Sequence, residues 1–188
     1  MTLQDLLSQR QPAVCERWLD AILREYGPVT AARWRKERDP FANPVGHALS
    51  TGLPEILDAV ARGQGFGERA LSALQEIVRV RSVQDFTPSR AVSFVCLLRR
   101  AVRDELAARL AGGEHDAELA ELDGRIEQLA LIAFDTYVGL REDLFRIRQE
   151  ELRRSVASIL RRWHGGVVPD EATDDLVRLS PTSGGPRR

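Results

Sequence analysis

The sequence predicts an all-α protein. Apolar residues recur at helical spacing almost everywhere, no strand-like alternation appears, and the stretch from about Glu114 to Trp163 contains no proline. Pro12 sits where it can open a helix running to about Tyr26, with a short amphipathic segment, 2–9, before it. The buried stripe of that helix is Val14, Trp18, Ile22 and Tyr26, and Gly27-Pro28 stops it. A shorter helix over about 29–38 ends at Asp39-Pro40. The segment 44–62 carries Val45, Leu49, Leu53, Ile56 and Val60 on one face, with a kink or a break expected near Ser50–Leu53 because of Gly52 and Pro54.

Gly63-Gln-Gly-Phe-Gly67 reads as a connector: no strand precedes it and its spacing is wrong for a phosphate loop. Residues 68–84 form the next helix. Thr87-Pro88 then caps and opens another over 88–111, which ends at Gly112-Gly113. In the last helix the apolar positions are Leu119, Leu122, Ile126, Leu129, Ala133, Tyr137, Leu140, Leu144 and Ile147, resuming at Leu152, Val156, Ile159 and Trp163. Steps of three and four mark a helix packed lengthwise on another. Some fifty residues at about 1.5 Å each reach roughly 75 Å, more than a domain of this size can cover. The helix therefore either pairs with a second copy or breaks near Gly139 and folds back. Pairing is the expectation, giving a homodimer with Tyr137, Leu140, Leu144 and Ile147 at its interface. Residues 1–163 are read as one helical domain with an extended last helix, and 164–188 as a short helix followed by a disordered tail.

Composition excludes several classes of function. Lys and Arg number 27 against 28 Asp and Glu, so no net field attracts nucleic acid or an anionic membrane. The N-terminus lacks a signal peptide and no long apolar run exists, so a cytoplasmic protein is expected. Cys15 and Cys96 are expected to be small buried hydrophobes. Glu114, His115 and Glu118 share a helical face but offer too few ligands for zinc, so no metal site is assigned. No nucleophile elbow or carboxylate pair stands out, and neither catalytic residues nor a cofactor are expected.

One polar cluster remains. Arg79, Arg81, Gln84 and Asp85 crowd the turn between two apolar helices. They can satisfy helix ends, with Arg81 paired to Asp85, or they can line a small pocket for an anion or partner. The structural role is the expectation.

These residues also carry a resemblance. Leu74-Gln-Glu-Ile-Val-Arg-Val-Arg-Ser-Val-Gln-Asp-Phe-Thr-Pro-Ser-Arg-Ala, continuing into Val92-Ser93-Phe94, resembles the signature of the RsbRD N-terminal domain family, found in RsbT co-antagonist-type proteins. Phe134-Asp135-Thr136-Tyr137, Arg141-Glu142 and Trp18 with Ile22-Leu23 are similar as well. The resemblance implies a bacterial sensory or regulatory module with a globin-like, non-haem bundle, dimeric, without catalysis, acting in the stress response through a partner protein. The helix 68–84 contains no histidine to hold haem, which fits. A receptor for a small ligand inside the bundle is the alternative.

Overall fold

The computed structural model describes residues 1–163, apart from Arg38, Pro40, Asp85 and the side chain of Arg161. The predicted short helix and tail in 164–188 lie outside the described residues. Among those described, the regular elements are six α-helices and one 3₁₀ turn, Arg24–Tyr26. The helices are α1 (Leu3–Leu23), α2 (Pro28–Lys36), α3 (Pro44–Arg62), α4 (Glu68–Ser82), α5 (Pro88–Leu110) and α6 (Asp116–Trp163). The all-α class and the long final helix are as the sequence predicts. None of the described helices is long and apolar enough to cross a membrane.

Neither the boundary expected before Pro12 nor an end of the helix near Gly52 occurs. The segment 2–9 is continuous with the helix after it, so Pro12 lies inside α1. Pro12 is solvent-exposed, as is Ser8 four residues earlier, so water can satisfy the carbonyl that proline leaves unpaired. Thr2 starts this helix instead, its hydroxyl accepting from the Asp5 N–H at 3.1 Å while the Asp5 carboxylate accepts from the Thr2 N–H at 2.9 Å. Helix α3 likewise runs through Gly52 and Pro54. Gly52 is there for contact: a β-carbon on it would stand 2.9 Å from Ile77 Cδ1 of α4, so its absence lets the two helices approach closely.

The chain divides into two compact units, Met1–Arg141 and Glu142–Arg188, with the division inside α6. In the first unit, α1 packs on α3 and α5, and α4 packs on α3 and α5. Trp18 lies at the centre, fully buried, stacked on Phe94 and donating its indole N–H to the Phe94 carbonyl at 2.6 Å. The seam of α6 from Leu119 through Leu122, Ile126, Leu129 and Ala133 to Tyr137 belongs to this core. One edge of this seam is fastened by charge, with Arg103 donating to both Asp123 oxygens, at 3.1 and 2.6 Å.

The cysteine expectation fails for Cys96, which is exposed on α5, turned outward between the buried pair Phe94 and Val95 and the buried Leu98. Cys15 is half-buried, and burial pushes its thiol up to about 11, so it stays protonated at neutral pH.

In the second unit, residues 142–163 continue as helix and none of the described side chains is buried. A helix without a packed face is marginal in water.

Asn43 ties the bundle's least apolar corner together. It is buried, caps α3 by accepting from the Gly46 N–H at 2.8 Å, and donates to the Trp34 and Glu37 carbonyls at 2.8 Å each. Replacing Asn43 with Ala should cost about 2–3 kcal/mol, since cap and carbonyl partners are lost together. Asn43→Ser, which keeps only the cap, should recover part of that loss in urea denaturation.

Candidate functional site

Helix α4 has a narrow apolar face of Leu74, Ile77 and Val78, and its period carries Arg81 inward with them. A charge there is tolerable only if every nearby acceptor turns toward it. They do. Arg81 is 0% exposed; its Nε donates to the Ala91 carbonyl at 2.9 Å and its Nη2 to the Arg90 carbonyl at 2.7 Å. The same Nη2 reaches Glu25 Oε2 at 2.6 Å, and Nη1 donates to the Tyr26 hydroxyl at 2.8 Å. The rings of Tyr26, Phe86 and Phe94 lie 5.1–5.6 Å from the guanidinium carbon, adding cation–π attraction.

A second layer holds the first. The Tyr26 hydroxyl in turn donates to Gln84 Oε1 at 3.0 Å, and Ser93 donates to the other Glu25 oxygen at 2.8 Å. Arg90 covers Phe86 at 4.3 Å and donates to the Glu25 carbonyl. Burial pushes the Tyr26 phenol up to about 12, with the ring hydroxyl neutral and Arg81 charged beside it.

The structure thus brings together two of the four predicted residues, Arg81 and Gln84. Arg79 stands apart on the solvent face, paired with Glu76 at 2.7 Å. Asp85 lies outside the described residues. The acid found on Arg81 is Glu25, 56 residues away in sequence. Nothing local to Arg81 marks Glu25, Tyr26 or Ser93 in the sequence; the only signal is an arginine on an apolar helical stripe. Chemically, Arg81 is engaged by the protein itself, so the arrangement joins the end of α1, the end of α4 and the start of α5. That favours the structural role over a ligand pocket.

The four predicted interface residues also separate. Tyr137 is buried, Leu140 and Leu144 are half-buried, and Ile147 is 50% exposed. His115 and Glu118 meet at 2.9 Å, and Glu118 also accepts the Leu3 N–H at 2.6 Å, fastening the start of α1. Both bonds hold the Glu118 carboxyl below its ordinary range. Among the described residues no group of three or more His, Cys, Asp or Glu is placed to hold a metal ion.

The family model of the RsbT co-antagonist protein rsbRD N-terminal domain matches residues 12–152. The chain belongs to this family. The match runs from α1 into the second unit and includes the whole Arg81 cluster. No curated protein and no solved structure matched the chain. Membership of the RsbRD N-terminal domain family makes this a regulatory, signalling domain.

The cluster's energetics are asymmetric. Glu25→Ala leaves a fully buried arginine uncompensated and should cost about 3–5 kcal/mol. Arg79→Ala, on the surface, should stay within about 0.5 kcal/mol. Arg81→Lys should not rescue the fold, because one ammonium cannot span acceptors arranged for a planar fork. Equal losses for Glu25→Ala and Arg79→Ala in chemical denaturation would contradict the assignment. The raised Tyr26 pKa has its own signature. Its contribution is complete below the unfolded value near 10 and is lost as pH rises through about 12. Stability should therefore fall across that window, and Tyr26→Phe should flatten the fall.

Proposed function

We propose that this member of the RsbRD N-terminal domain family is a non-catalytic module of bacterial stress signalling, dimeric through α6 and acting by protein–protein contact. The observation that carries the reading is the second unit. Phe145, Ile147, Leu152, Val156, Ile159 and Trp163 are between 44% and 85% exposed on a helix without a packed face. An apolar surface of that extent marks an interaction site.

For the dimer, the contact proposed is the face of Leu140, Leu144 and Ile147. Tyr137 is buried in the first unit and is left out of the proposed contact. Arg148, Glu151 and Arg154 stand around that face, so opposite charges can meet across a two-fold axis. The ligand-receptor alternative is not favoured, because Arg81, its central residue, already has its partners inside the protein.

The test is the oligomeric state. Light scattering of the full chain at micromolar concentration should give a dimer. Leu144→Glu with Ile147→Glu should give a monomer with unchanged helical circular dichroism, because neither side chain is buried in the described structure. An unmodified chain that is monomeric at that concentration would refute dimerisation.

A further inference from the structure

The second unit carries a sequence pattern more specific than exposed apolarity. Phe145, Leu152 and Ile159 are seven residues apart, and Val156 and Trp163 follow the last two by four. With Gln149 in the remaining place, these six residues form a heptad seam: d at 145, 152 and 159, a at 149, 156 and 163. Gln149 is half-buried and the other five are exposed. Leu144 and Ile147, the dimer contact, lie off this seam: at about 100° per residue Leu144 stands roughly a third of a turn from it and Ile147, at the f position, nearly half a turn.

The positions bordering a seam choose its partner. Here the e positions are Arg146, Arg153 and Leu160, and the g positions are Arg148, Ser155 and Arg162. No carboxylate borders the seam. Asp143, Glu150 and Glu151 fall at outer b and c positions, and Glu142 stands one layer before the seam begins. Arg146 is paired with Asp143 at 2.8 Å, whereas Arg148, Arg153 and Arg162 make no ion pair among the described residues.

This border excludes a second copy from this seam. In a parallel pair, g faces the following e of the other helix, which sets Arg148 against Arg153. In an antiparallel pair, e faces e and g faces g, and arginine again meets only Arg, Ser or Leu. A narrow a/d stripe with a polar residue inside it is also coiled-coil geometry, and a helix lying on a membrane needs a broader apolar face.

We infer that the seam from Phe145 to Trp163 takes a helix of a different protein, apolar at its own a and d positions and bordered by glutamate or aspartate. This rests on the reading of the second unit as a docking helix and names the chemistry of its partner.

Two synthetic heptad peptides test it on the full chain, both with Val at a and Leu at d. One carries Glu at every e and g position, the other Lys. The Glu peptide should bind at least tenfold more tightly than the Lys peptide, and its binding should weaken as salt rises. Binding should shift the Trp163 emission to the blue, and the shift should vanish in Trp163→Phe. Arg148→Glu with Arg153→Glu should reverse the preference between the peptides. Equal affinity for both peptides overturns the charge inference and leaves the docking helix standing. Binding of neither peptide overturns both. Vesicles of phosphatidylglycerol that shift Trp163 when the Glu peptide does not would assign the seam to a membrane and overturn the inference. So would binding that appears only after Asp170, Glu171, Asp174 and Asp175 are changed to their amides, since the chain's own acidic stretch would then be the occupant.

Discussion

The first unit depends on one buried charge. Arg81 is buried because the helical period of α4 places it on the face of Leu74, Ile77 and Val78. Once there, it dictates what surrounds it. Glu25 must follow α1 directly, Tyr26 must close the 3₁₀ turn, and the first turn of α5 must present the Arg90 and Ala91 carbonyls. A buried ion pair adds little net stability over an apolar replacement, but leaving half of it costs a great deal. The cluster therefore acts mainly on specificity: it permits one relative placement of α1, α4 and α5 and penalises others. The same arginine is unavailable to a ligand, which moves the search for function elsewhere in the chain.

The second unit is built on the opposite principle. It buries none of its described residues and spends its apolar side chains on the surface. A regulatory domain of the RsbRD N-terminal family has to pass its state to another molecule, and a helix that is incomplete alone is a suitable carrier. Two faces are distinguishable by charge. The face proposed for a second copy carries Glu151 beside Arg154; the other is bordered by Arg146, Arg148, Arg153 and Arg162 without a carboxylate and suits an acidic partner.

Much of this was legible from sequence because periodicity is a local property. Helix class, the Thr87-Pro88 start of α5 and the core seam from Leu119 to Tyr137 follow from spacing and capping chemistry. The misreadings each involve something spacing does not carry. Pro12 and Pro54 interrupt hydrogen bonding without ending their helices, and in α1 the freed carbonyl belongs to an exposed residue. Glu25 sits too far from Arg81 in sequence for any local rule to pair them. The apolar period of α6 continues through Tyr137 without a mark where burial ends, so spacing alone shows one seam where the structure has a buried stripe followed by exposed ones. Gly52 marks a kink or a break by its residue type, whereas in the structure it lies against Ile77, where a β-carbon would crowd.

The central claim is that residues 142–163 draw their order from a partner and not from their own globule. Amide hydrogen exchange, followed as the chain is diluted through the range in which the proposed dimer would dissociate, tests it most directly. Amides from Glu142 to Arg154, which carry the proposed dimer contact and the charges around it, should lose protection on dilution, while those around Trp18, Ile77 and Phe94 keep theirs. Protection of the distal helix equal to that of the core at every concentration would show that the chain stabilises it alone, and would contradict the account.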